Sequence, residues 1–206
     1  MYRDESKCVP PWISDNYPND HFIDRLHMEL LDFCQFVSPT KQEHETRLNL
    51  IKRIKDIVLN IWPNASIHIF GSMKTKLYLP TSDIDLVIYP NIDLNINIDC
   101  KLHLAQALKK ANMCSYLEII STARVPLVKF TDIRSDLNVD ICFERESGII
   151  AADEINSLQI QYPVLRPLTY FLKYFLWFRN LNEPFRGGMG SYLLQMLIVN
   201  LIQVNT

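Results

Sequence analysis

Apolar positions recur along this chain at two spacings, and the spacing changes with position. Leu26, Leu30, Phe33, Cys34 and Val37 fall three and four residues apart, which predicts a helix ended by Ser38-Pro39. Thr40 with Glu43 forms a capping-box pattern, and Leu48, Ile51, Ile54, Val58 and Ile61 carry one apolar stripe of a second helix as far as Pro63. The period then falls to two. Strands are expected at 65–70, 84–89, 116–120, 126–131 and 137–143, interrupted by one helix at 101–113. The helical period returns over 149–158, 164–180 and 191–204. Residues 1 to about 20, with Pro10, Pro11 and Pro18 among several Asn and Asp, read as irregular. Strands mixed with helix and followed by helices imply an α+β fold, in which a mixed-sheet lobe is joined to an all-helical one. No internal repeat or low-complexity segment interrupts this order.

With 206 residues, 48% of them apolar, the chain is long enough to bury a sizeable core. Its five cysteines, Cys8, Cys34, Cys100, Cys114 and Cys142, are odd in number, scattered and without CxxC spacing, and no histidine sits at ligand spacing to them. Neither a disulfide framework nor a zinc site is suggested, which fits a reducing compartment. The start, MYRDESKC, lacks an apolar signal core, and the apolar C-terminal run is broken by Gln195, Asn200 and Gln203, so secretion and membrane spanning are not expected. The net charge of −2, with basic residues dispersed, predicts weak intrinsic affinity for nucleic acid.

The chemistry concentrates in GSMKTKLYLPTSDID, Gly71 to Asp85, and in the later strand LNVDICF. Side chains alternate along a strand, so Asp83 and Asp85 share one face while Ile84, Leu86 and Ile88 line the other. In the later strand Val139, Ile141 and Phe143 point one way, and Asp140 shares the opposite face with Asn138 and Cys142. If these strands pair, three carboxylates meet, and their repulsion raises at least one pKa unless a cation is present. Mg²⁺ (or Mn²⁺) suits such a site, because it takes hard oxygen ligands and leaves room for phosphates; two ions about 3.5–4 Å apart can serve the attacking and leaving oxygens of a phosphoryl transfer. Alone, Asp-x-Asp at a strand start is usually a solvated turn. Gly71-Ser72 follows a short strand and opens a turn whose N–H groups and hydroxyl can hold phosphate oxygens, so the combination points to a two-metal nucleotidyl-transfer site.

These motifs resemble the DNA polymerase β-like nucleotidyltransferases, and within them the nuclear noncanonical poly(A) polymerases of the RNA-surveillance (TRAMP-type) group. The resemblance runs over nearly the whole chain, through PW at Pro11, LHMELLDF at Leu26, FGSMKTKLYLPTSDIDLV at Phe70, ARVPLVKF at Ala123, VDICFE at Val139 and GGMGSYLL at Gly187. It implies a template-independent enzyme that adds AMP from ATP to RNA 3′ ends, helped by an RNA-binding protein partner and acting in the nucleus or otherwise the cytoplasm. It also implies that Asp83 and Asp85 bind both metals, that Asp140 helps activate the RNA 3′-hydroxyl, and that Gly71 with Ser72 holds the triphosphate. The implied division is 1–40 as an N-terminal segment and helix packing on the helical lobe, 41–145 as the catalytic lobe, and 146–206 as a helical lobe that is incomplete.

Three further residues take roles only through the resemblance. Lys173 lies off the stripe Val164, Leu168, Phe171, Phe175 and Phe178 and by itself reads as a solvated lysine covering apolar surface; the family has a triphosphate-binding lysine there. Ser191 and Tyr192 follow Gly187, Gly188 and Gly190, a pattern that by itself reads better as plain helix entry with Tyr192 in the core; the family uses this Ser on phosphate and this Tyr to stack the incoming base. Two positions depart from the family. Lys76 is more often glycine, and Ala151-Ala152 replaces the Asn-Thr of many cytoplasmic relatives, as in the nuclear poly(A) polymerases. The alternatives are a terminal uridylyltransferase with the same chemistry, or a truncated noncatalytic binding module.

Overall fold

The computed structural model describes residues 10–14, 17, 21–91, 99–121 and 125–205. They fall into two compact units, one formed by 39–161 and the other by the segments up to 38 and from 162 onward.

The 39–161 unit is built on five strands, β1 (Ser66–Phe70), β2 (Ile84–Tyr89), β3 (Cys114–Ile120), β4 (Leu127–Asp132) and β5 (Asn138–Phe143), ordered β1-β2-β5-β4-β3. All neighbours are antiparallel except β2 and β5, which run parallel, so the sheet is mixed. The strands and the later helices lie within a few residues of their expected positions. Two helices, α2 (Lys41–Ile61) and α4 (Cys100–Lys110), cover one face. Leu50, Ile54 and Val58 of α2 and Leu104 and Leu108 of α4 pack with Ile84, Leu86, Ile88, Phe130, Val139 and Ile141, all buried. Each such side chain contributes about 1.5–3 kcal/mol by leaving water. The Thr40–Glu43 capping box is present, with Thr40 N donating to Glu43 at 2.7 Å. Asp99 caps α4 by accepting from Lys101 N at 3.1 Å.

The buried line of α2 differs from the expected stripe. It runs through Arg47, Leu50, Ile54 and Val58, while Leu48 is 44% exposed. One residue rotates a helix by about 100°, so Arg47 and Leu48 cannot both face the sheet. Farther along α2, Arg53 donates to the buried Asp132 at 2.6 Å, and Ser135 N and Oγ donate to the same carboxylate at 2.9 and 2.7 Å. This ties the helix to the β4–β5 turn. The short α3 (Gly71–Thr75) and α5 (Ser147–Gln161) complete the unit; α5 packs on α3 and β1, joined by Lys74–Asp153 at 2.6 Å. Contacts therefore carry this unit through 161, past the division drawn after residue 145 from sequence.

The second unit holds α1 (Phe22–Val37), α6 (Leu165–Phe178) and α7 (Ser191–Val204). Phe33 of α1 meets Phe171 and Tyr174 of α6 edge-on at 5.9 and 5.3 Å between ring centroids. Trp12 stacks its edge on Phe33 at 5.0 Å. On α6 the buried residues are Leu165, Thr169 and Tyr170, whereas Val164, Phe171, Phe175 and Phe178 of the expected stripe are exposed. α6 packs on α1 and α7, and this covers only part of its apolar face. In α7 the buried line is Leu194, Gln195, Ile198 and Val199, and Leu193, Leu197 and Leu201 remain about half exposed. Among the described residues no helix is long and apolar enough to cross a membrane.

Candidate active site

Strand β2 begins one residue after Asp83, and its alternation is the expected one: Ile84, Leu86 and Ile88 are fully buried on the α2 side, and Asp85 is left on the other face. Parallel pairing then sets Asp85 directly opposite Asp140. The same register row continues outward through Lys129 on β4 and Glu118 on β3. Four charged residues thus stand side by side across four strands.

Lys129 is the member that the sequence reading missed. Its Nζ lies 3.1 Å from Asp83 Oδ2 and 3.4 Å from Asp140 Oδ1. The second distance is long for a direct hydrogen bond, yet the ammonium is the cation that faces this buried oxygen. Burial pulls the Lys129 pKa down, but Asp140 and Asp83 outweigh it and hold it above the ordinary lysine value. Among the described residues no three His, Cys, Asp or Glu side chains close on one point as ion ligands. The expectation of three mutually repelling carboxylates is therefore corrected: the protein supplies part of the compensation itself. One lysine against three aspartates still leaves the cluster negative, and its donor atoms are carboxylate oxygens. Such a set fits a divalent cation that prefers hard ligands. The alternation Val128-Lys129-Phe130, with both apolar neighbours buried, is the signal that could have found it.

Gly71 adjoins this cluster. Its φ is +60°, a left-handed conformation, and a Cβ there would overlap Asp85 Oδ2. Both facts require glycine. Ser72 lies beside it, half-buried, and its carbonyl accepts from Leu77 N at 3.1 Å, which curls the segment tightly. Lys76 has φ +57°, left-handed like Gly71. Leu77, Tyr78 and Leu79 then plunge into the core, and the chain emerges at Asp83.

The remaining expected residues lie in the other unit. Lys173 is half-buried on α6, Ser191 is the first residue of α7, and Tyr192 is 46% exposed. Gly187 has φ +81°, and a Cβ on Gly188 would overlap the carbonyl oxygen of Leu181, which accepts from Met189 N at 2.8 Å. These glycines hold a close loop before α7. Ala123 and Arg124, which open ARVPLVKF, lie outside the described residues.

The chain is 39% identical over 204 residues to poly(A) RNA polymerase cid14 of Schizosaccharomyces pombe, a match covering 98% of this chain and 29% of that protein. It is 36% identical over 197 residues to poly(A) RNA polymerase protein 2 of Saccharomyces cerevisiae, covering 95% and 34% respectively. Among solved structures, the polymerase core of TRAMP, an RNA surveillance complex, matches with TM-score 0.79 at 35% identity, over 92% of this chain and 59% of that one. The chain spans about a third of the length of these curated relatives. The fold is that of the polymerase β-like nucleotidyltransferases. Residues 26–156 match the model described as poly(A) RNA polymerase, mitochondrial-like, central palm domain, and the chain belongs to that family.

Proposed function

We propose that this chain forms the nucleotidyl-transfer core of a poly(A) RNA polymerase that adds AMP from ATP to RNA 3′ ends. The observation that carries the reading is the in-register Asp85–Asp140 pair, flanked by Asp83 and abutted by Gly71, in a cluster that remains negative despite Lys129. Asp83, Asp85 and Asp140 would hold Mg²⁺ or Mn²⁺, which when bound supplies Lewis-acid stabilisation of the triphosphate charge. Asp140 draws the proton from the RNA 3′-hydroxyl as that oxygen bonds the α-phosphorus and pyrophosphate departs. The backbone at Gly71 and the Ser72 hydroxyl take triphosphate oxygens, since glycine lets the phosphates come close to the main chain. A role on phosphate for Lys173 and Ser191, and base stacking for Tyr192, enter the proposal through the motif resemblance alone.

The net charge of −2 gives little electrostatic grip on RNA, so an RNA-binding protein partner belongs to the proposal, as does action in the nucleus. The test is extension of a labelled RNA with each of the four nucleoside triphosphates, alongside Asp83→Ala, Asp85→Ala and Asp140→Ala. Preferential use of ATP, lost in all three variants, is the expected result. UTP preference would make the chain a uridylyltransferase. Substantial tailing by Asp140→Ala would sink the three-carboxylate site, and RNA binding without any incorporation would leave a noncatalytic module.

A further inference from the structure

Arg47 is a buried charge that the proposed chemistry does not use. It is 1% exposed, and its helix needs no such residue, because Leu50, Ile54 and Val58 already seat α2 on the sheet. Taking an unpaired guanidinium from water costs several kcal/mol. The hydrogen bonds and the ring contact that offset that cost lie on one loop. Nη2 donates to the carbonyl oxygens of Pro80 and Ser82, 2.7 Å each, which uses both of its hydrogens. The guanidinium carbon stands 4.8 Å from the centroid of the Tyr78 ring. One turn earlier on the same helix, His44 Nδ1 is 2.7 Å from the Tyr78 hydroxyl. Nη1 is buried with no hydrogen-bond partner, so the side chain has accepted an unmet donor in order to reach this loop.

The gripped loop is otherwise held by a closed turn. Ser82 N donates to Leu79 O at 2.9 Å, and Leu79 N donates to Ser82 Oγ at 3.0 Å. The two carbonyls that Arg47 takes bracket Thr81, and the residue that follows Ser82 is Asp83. Asp83 also contributes to the electrostatic field at Arg47. Burial lowers the Arg47 pKa, against the pull of Tyr78, Asp83 and Glu43, and the guanidinium stays charged at any ordinary pH.

We propose that Arg47 is a positioning residue for the nucleotidyl-transfer site: through the Pro80 and Ser82 carbonyls it fixes the backbone that delivers the Asp83 carboxylate. The inference rests on reading Asp83 as a metal ligand. Arginine suits the task because one planar nitrogen offers two fixed N–H vectors while the fork lies on an aromatic ring; lysine has neither property.

The experiment is Mn²⁺ titration by calorimetry, without substrate and well below the melting temperature, on the parent, Arg47→Lys, Asp83→Asn and the double variant. Arg47→Gln is a harsher companion, and Arg47→Lys, which keeps the charge and stem, carries the test if the Gln variant does not fold. Arg47→Lys is expected to weaken Mn²⁺ about 10–100-fold, the scale for groups that orient a metal ligand. In the Asp83→Asn background it should cost no more, because the ligand it positions has already been changed. Parent-like affinity in Arg47→Lys overturns the proposal, and so do losses that multiply in the double variant, which signal general damage. A parent chain that binds no Mn²⁺ defeats the metal-site reading itself, a different outcome from either of these.

Discussion

The carboxylate of Asp85 lies against the Cα of Gly71, with its Cγ 3.0 Å from the point a Cβ would occupy. The Gly71 turn and the acidic strand are thus packed to the limit of glycine. Gly71→Ala is expected to cost about 1–2 kcal/mol through its left-handed backbone alone, and to push Asp85 out of place as well. Thermal melts should show a modest loss, whereas Mn²⁺ titration should show a disproportionate one. Unchanged metal affinity would mean that Asp85 has room to move.

Lys129→Met removes the ammonium that lies beside both Asp83 and Asp140. Without divalent ions the variant should melt below the parent, since the carboxylates then repel with less compensation. Added Mn²⁺ should raise its melting temperature more than it raises the parent's. The sign with pH also follows: a raised lysine pKa gives stability that is complete below the unfolded value of 10.5 and is lost as pH rises through the folded one. The parent should therefore lose this contribution only in strong alkali.

Asp132 predicts the acid limb. Burial pushes its carboxyl up, but hydrogen bonds from Ser135 and Arg53 outweigh it and hold the group below 3.8. A depressed carboxyl stabilises above its unfolded pKa, and that stability disappears as pH falls through the folded value. Asp132→Asn should cost about 1.5–3 kcal/mol at neutral pH, the scale of hydrogen bonds to a charged group. Urea unfolding at successive pH values should show the variant varying less than the parent below pH 3.8.

Tyr192 separates stacking from hydrogen bonding. Tyr192→Ala should weaken ATP by about 1–3 kcal/mol, the usual scale for one lost base stack, while Tyr192→Phe keeps the ring and should be mild. KM for ATP in both variants is the measurement. Equal, large losses would assign the role to the hydroxyl.

Alternation made β2 readable: Ile84, Leu86 and Ile88 could only face a core, which left Asp83 and Asp85 opposite. Gly71 and the glycines before α7 were readable for a similar reason, because a tight turn or a close backbone approach calls for them there. Lys129 was hidden because a single lysine in a strand looks like a solvated edge until pairing sets it beside Asp140. Arg47 was hidden by the opposite error. A charge on an amphipathic helix is usually outside, so the stripe was drawn through Leu48, and only the loop carbonyls at Pro80 and Ser82 explain why the guanidinium went in. On α6, aromatic residues on several sides left the burial direction to its neighbours, and Tyr170 with Arg166 stacked over it at 5.0 Å took the inner face.

Because β5 slots in parallel beside β2 only after the chain has passed through α4 and the β3–β4 hairpin, Asp85 and Asp140 are neighbours in space long before they could be neighbours in time. Pairings of such separation carry a loop-closure cost and slow folding. A nascent chain that has emerged only as far as β4 already carries Asp83, Asp85 and Lys129, yet it has no place to gather a cation. On the proposed reading, the cation site therefore exists only once this one long-range strand pairing has formed.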